Sequence, residues 1–146
     1  MPLQKPTTSS WAQTPARKRA RILGGLRHVL ADDPAPWLEA LRSPVRSDDA
    51  ESLSAEVLPL AAACRWIERR AVRTLKPQKL GLRGRPLWLW GVSAEIRREP
   101  YGEVLIIGPG NFPLFLPGVQ AMQALAAGNR VRIKPCLLYT SPSPRD

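Results

Sequence analysis

The residues best suited to chemistry in this 146-residue chain lie in one short run, Ile107, Gly108, Pro109, Gly110, Asn111, Phe112, Pro113. Asn111 carries a neutral carboxamide. Held at the end of a strand, such a group donates N–H to negative charge developing on a substrate oxygen without introducing a competing acid. The same residue type also supports turns through its short polar side chain, and spacing alone leaves both roles open. Two cysteines, Cys64 and Cys136, build neither a disulfide framework nor a multi-cysteine metal site, so no metal is expected. Cys64 falls on the apolar stripe of a helix-like stretch and reads as a small buried hydrophobe.

The elements that must hold Asn111 follow from periodicity. Val104 to Ile107 is a continuously apolar, β-branched run of the kind buried on both faces of a parallel sheet. After the glycine and proline loop, Phe115, Val119, Met122 and Ala126 keep helical spacing from Leu114 to Ala127, with Pro117 tolerable in the first turn and Gly128 as the stop. Val131 and Ile133 then alternate with Arg130, Arg132 and Lys134 in a second strand. Strand, loop, helix, turn and strand make one βαβ unit with a right-handed crossover.

Upstream, Ile22, Leu23, Leu26, Val29 and Leu30 predict an amphipathic helix from Ala16 to Leu30, weakened at Gly24 and Gly25, with Arg17, Lys18, Arg19, Arg21 and Arg27 on its solvated side. Trp37, Leu38 and Leu41 suggest a short second helix. A third, capped by Asp48 or Asp49, carries Leu53, Val57, Leu60, Ala61, Cys64, Ile67 and Ala71 to about Leu75, with a kink at Pro59. Residues 86–98, rich in tryptophan and leucine, read as two extended segments about a bend, a short strand pair. Residues 1–15 read as a mobile lead-in.

Twenty-two Lys and Arg against 12 Asp and Glu give a net charge of +10. The rival this raises is a nucleic-acid-binding module using Arg17, Lys18, Arg19, Arg21, Arg69, Arg70 and Arg73 as phosphate contacts. Charges spread around amphipathic helices are usually solvated faces, and nucleic acid is not expected as a partner. The most apolar window, residues 104–119, is broken by Gly108, Pro109, Gly110, Asn111, Pro113 and Pro117, where a span needs roughly 20 apolar residues. Neither a membrane span nor a secretory leader is expected, and sparse cysteine fits a reducing, cytoplasmic setting. The preference for Arg over Lys points to a GC-rich bacterial genome.

Glu99, Pro100, Tyr101, Gly102, then Val104 to Gly108, the loop Pro109 to Pro113, Ala124 to Asn129, and Lys134 with Pro135 recur in order. That pattern resembles the first βαβ of the aldehyde dehydrogenases: glutamate-proline-x-glycine, an apolar strand, a proline-x-asparagine-aromatic-proline loop, a helix ending in leucine-x-alanine-glycine-asparagine, and a strand ending in lysine-proline. Several unlike elements at the right separations make the match specific. The resemblance implies an α/β fold: a truncated, Rossmann-like NAD(P)-binding domain over residues 16–135, with N-terminal helices, a strand pair near 86–98 from the family's oligomerisation arm, and one βαβ unit.

By the same resemblance the parent protein oxidises a small-molecule aldehyde through a cysteine thiohemiacetal, with NAD or NADP as cofactor, and is a homo-oligomer. Asn111 would supply the oxyanion hole, together with the backbone N–H of a cysteine far downstream. Ile107, Gly108, Pro109 and Gly110 would line the nicotinamide, and Lys134 would reach the adenosine ribose. Each has a plainer reading, a strand-to-helix turn for the former and a solvated lysine for the latter. Gly108, Gly110 and Pro113 do not complete a G-x-G-x-x-G fingerprint, and the family handles pyrophosphate at a later turn. An acylating aldehyde dehydrogenase or acyl reductase on the same fold is the alternative. Departures are Gly110, where the family often carries tryptophan, and the polar Arg130 and Arg132 in a strand usually apolar. Residues 136–146 resemble a transposase-type sequencing adapter read through as coding sequence, so Cys136 is not expected to be the nucleophile. Nucleophile and general base are expected beyond this chain, leaving it inactive, with exposed apolar edges.

Overall fold

The computed structural model describes residues 10–43, 47–81 and 86–135. Residues 1–9 of the expected lead-in, and the expected foreign tail 136–146 with Cys136, lie outside the described residues.

Helix α1 (Ser10–Gln13) is followed by α2 (Ala16–Asp32), α3 (Ala35–Leu41) and α4 (Asp49–Ser52), then a π-helical turn (Leu53–Val57) running into α5 (Leu58–Leu75). Strands β1 (Gln78–Leu80) and β2 (Ala94–Ile96) come next, then β3 (Glu103–Ile107), α6 (Phe115–Ala126) and β4 (Arg130–Lys134). The lead-in expectation does not hold for residues 10–15: α1 is helical, and the Trp11 indole N–H donates to the Leu125 carbonyl at 2.8 Å.

Two apolar clusters hold the helices together. Ala20, Leu23, Ile67, Ala71 and Ala126 form one, and Leu30, Leu41, Val57, Leu60 and Cys64 the other, with Met122 of α6 packed against both. The stripe expected on the third helix is therefore the buried one. On α2 the buried face is rotated from the expected one: Ile22 and Val29 are exposed, whereas Arg19 is buried. The reason is close approach to α5. A β-carbon built on Gly24 would stand 2.7 Å from the β-carbon of Glu68, so Gly24 fixes which face of α2 turns inward. Asp48 caps α4, its carboxylate accepting from Ala50 N–H at 2.8 Å. Pro59 falls in the first turn of α5, where its missing N–H costs little, and the irregularity precedes it as the π-turn.

The strand pair forms with different partners from those expected within residues 86–98. β2 pairs antiparallel with β1, Gln78 opposite Ile96 and Leu80 opposite Ala94. Leu87–Leu89 is a 3₁₀ turn opened by Pro86, whose carbonyl accepts from Leu89 N–H at 3.0 Å. Aromatic residues favour strands only where a pleated, half-buried surface receives them, and Trp88 is 82 % exposed.

β3 and β4 run parallel, Glu103 opposite Arg130 through Ile107 opposite Lys134, joined through α6 as one βαβ unit. Burial of β3 on both faces is not observed: Leu105 is 61 % and Ile107 68 % exposed, and only Ile106 is buried. The sheet has two strands, with α6 against it. Arg130 and Arg132 are exposed, and Arg132 pairs with Glu103. Gly128, at φ +98°, ends α6 as expected.

Candidate functional site

Parallel pairing brings the carboxyl ends of β3 and β4 side by side, which is where open α/β sheets bind ligands. Ile107 and Lys134 are partners in register there, and both are exposed. The ladder extends one residue further: Gly108 N–H donates to the Lys134 carbonyl at 2.9 Å. Gly108 is buried, and a β-carbon on it would stand 3.3 Å from the Pro117 ring. Pro109 and Gly110 are half-buried, and Asn111 is exposed. All six sequence-predicted residues thus stand at one end of one sheet, Ile107, Gly108 and Lys134 joined by pairing and Pro109, Gly110 and Asn111 following directly.

Asparagine is often chosen in turns because it tolerates positive φ. Among the described residues no non-glycine residue has positive φ, and Gly102 and Gly128 are the positive-φ glycines. Neither Asn111 nor Gly110 is thus demanded by backbone conformation. Asn129 shows the contrast. It is buried, its Nδ2 donates to the Ala124 carbonyl at 3.0 Å and its Oδ1 accepts from Gly102 N–H at 3.1 Å, tying the end of α6 to the start of β3.

The amino end of α6 faces the same loop. In many nucleotide-binding folds such free N–H groups hold a phosphate. Here Leu114 N–H and Phe115 N–H donate at 3.1 and 2.7 Å to the carboxylate of Glu56, which arrives from the π-turn. An anion is already supplied by the chain, so this helix end is not a phosphate cradle, in keeping with the incomplete glycine fingerprint. At the other end of α6 the buried Arg19 guanidinium donates to the Ala126 carbonyl at 3.0 Å and also to the carbonyls of Ala12 and Thr14. Burial holds its pKa below the ordinary arginine value. Carboxylate at the positive end and guanidinium at the negative end both complement the helix dipole.

Neither charge was assigned from the sequence. Glu56 interrupts an apolar stripe between Leu53 and Leu60, a detectable signal, since an acid on a buried face needs a partner. Arg19, expected on the solvated side, is buried instead, and its guanidinium is committed to carbonyl groups rather than open to a phosphate.

A model of the aldehyde dehydrogenase family matches residues 4–140. The chain belongs to the aldehyde dehydrogenase family. It is 38 % identical over 120 residues to rat (Rattus norvegicus) aldehyde dehydrogenase family 3 member B1, covering 82 % of this chain and 25 % of that protein. To the NADP-dependent glyceraldehyde-3-phosphate dehydrogenase of Arabidopsis thaliana it is 32 % identical over 139 residues, 92 % of this chain and 27 % of the relative. The crystal structure of PnpE from Pseudomonas sp. WBC-3 superposes with a TM-score of 0.69 at 27 % identity, covering 88 % of this chain and 25 % of that one. This member of the family therefore spans about a quarter of the length of the relatives it matches. No helix among its described residues is long and apolar enough to cross a membrane.

Proposed function

We propose that this chain is the N-terminal segment of an NAD(P)-dependent aldehyde dehydrogenase, and that Asn111 donates its side-chain N–H to the oxyanion formed when a cysteine thiolate, outside this segment, adds to the aldehyde carbonyl. The observation that carries the reading is the juxtaposition of the Asn111 loop with the Ile107 and Lys134 pair at the carboxyl ends of two parallel strands. When bound, the nicotinamide supplies the hydride acceptor. The carbonyl then reforms as a thioester, which water cleaves to release the acid and restore the thiolate.

The chain's own residues supply binding and orientation. Exposed Ile107 offers an apolar surface suited to a flat ring, and the exposed Lys134 ammonium suits a ribose hydroxyl or a 2′-phosphate. The pyrophosphate goes elsewhere, because Glu56 holds the N–H groups of α6. The similarity to an enzyme named as NADP-dependent favours a nicotinamide cofactor without selecting between NAD and NADP. By itself the segment is inactive, since its nucleophile and general base lie elsewhere. The parent works as a cytoplasmic, bacterial homo-oligomer, and residues 136–146 are not native to it.

The test is to recover the uninterrupted reading frame past Pro135, express the full-length protein, and follow reduction of NAD and of NADP with a panel of aldehydes. Aldehyde-dependent reduction of either cofactor is expected. Absence of any turnover in a folded protein, or a downstream sequence without a cysteine, overturns the reading. A product captured only by an added thiol assigns the acylating alternative instead.

A further inference from the structure

Glu56 is 0 % exposed and stands on a helix face that otherwise buries Val57, Leu60 and Cys64. A carboxylate withdrawn from water is costly unless hydrogen bonds compensate it. Leu114 N–H and Phe115 N–H provide them, and these belong to the first-turn donors of α6 that no intrahelical carbonyl can satisfy. Leu114, the N-cap, offers no side-chain cap of its own. A serine or aspartate at that position would have capped α6 locally. The cap comes instead from 58 residues upstream, on a separate helix, and so ties the start of α6 to the helical layer. A π-turn at the origin of the cap fits the frequent use of such turns at functional sites.

The loop is thereby held at both ends. Its upstream end is pinned where Gly108 N–H meets the Lys134 carbonyl at 2.9 Å, at a position where an added β-carbon would crowd the Pro117 ring. Its downstream end is pinned at Leu114 and Phe115. Residues 109–113 alone lie between, and Pro109 and Pro113 restrict their own φ. We propose that Glu56 is a positioning residue for Asn111: by fixing the downstream end of the loop it holds the carboxamide at the end of the sheet. The proposal rests on the reading of Asn111 as oxyanion donor.

The test is made in the full-length enzyme. Glu56→Asp retains the charge but withdraws the oxygen from the two N–H groups, and a displacement on the order of 1 Å costs up to about 100-fold in turnover. We expect kcat to fall by about 10- to 100-fold, with aldehyde KM and NAD(P) affinity within about threefold. Glu56→Gln keeps an oxygen that can accept from both N–H groups, and kcat stays within about threefold of the unaltered enzyme. In an Asn111→Ala background Glu56→Asp adds less than about threefold, because its effect acts through that side chain. Equal losses in both backgrounds, or equal harm from Gln and Asp, overturn the proposal. Should Glu56→Asp not fold, hydrogen exchange in the unaltered protein decides: slow exchange at the Leu114 and Phe115 amides is expected, and exchange at the free rate overturns it. If Asn111→Ala itself retains full kcat, the underlying oxyanion reading fails. If Asn111→Ala is crippled but Glu56→Asp is not, only the positioning role falls.

Discussion

Arg19 Nε donates to the carbonyl oxygen of Ala126 at 3.0 Å, joining residues 107 apart in sequence. The Arg19 side chain, 7 % exposed, also reaches the carbonyls of Ala12 and Thr14, so one guanidinium closes the end of α6 and holds α1 against α2. Hydrogen bonds to a charged group contribute about 1.5–3 kcal/mol each, without adding in full. Arg19→Met keeps the aliphatic length but leaves buried carbonyls unmatched, and is expected to lower stability by about 2–4 kcal/mol. Urea unfolding of the full-length protein checks this, and Arg19→Lys, without the fork, should recover only part of the loss.

Gly24→Ala tests the rotated face of α2. Alanine is the better helix former by about 1 kcal/mol, which favours the variant. Against it, the new β-carbon would lie 2.7 Å from the Glu68 β-carbon, and overpacking of this kind costs about 1–3 kcal/mol. Net destabilisation is expected in thermal melts, and a gain would show that α2 and α5 lie further apart.

Cys64 is fully buried, and that burial pushes its thiol pKa up, with Arg27 and the backbone opposing less strongly. Peptide mapping after alkylation should find Cys64 labelled far more slowly in the native protein than in denaturant. The sign for stability follows from linkage. The unfolded thiol ionises first, so above its ordinary value of roughly 8.5 the native state holds more protons and stability falls as pH rises. Below that value the contribution is constant, and Cys64→Ala should lack this alkaline slope.

The end of the sheet was legible because βαβ units announce themselves locally: the apolar run at Val104, the helix stop at Gly128 and the alternation at Val131 all mark their own elements. The positions of Asn111 and Lys134 came with them. Long-range pairing was not legible. Nothing near Gln78 signals that it, rather than the tryptophan-rich segment at Leu87, pairs with Ala94 to Ile96. Buried charge is illegible for a related reason, since Arg19 and Glu56 each reach a partner at an end of α6, 107 and 58 residues away, and helical spacing reports a face without saying what covers it.

Expressed alone, the chain should associate. Leu105, Ile107 and Ile133 are each at least half exposed on a two-stranded sheet, and unpaired apolar strands template aggregation. Light scattering across a concentration series checks this. A monomer that melts cooperatively at every concentration would contradict it.

The most direct measurement is single-turnover kinetics of full-length Asn111→Ala, with cofactor affinity measured separately. Removal of one oxyanion donor costs about 100- to 1,000-fold in kcat, and the account predicts a loss of that size with NAD(P) affinity unchanged. A rate constant for the chemical step within about twofold of the unaltered enzyme would show that the carboxamide only shapes the turn.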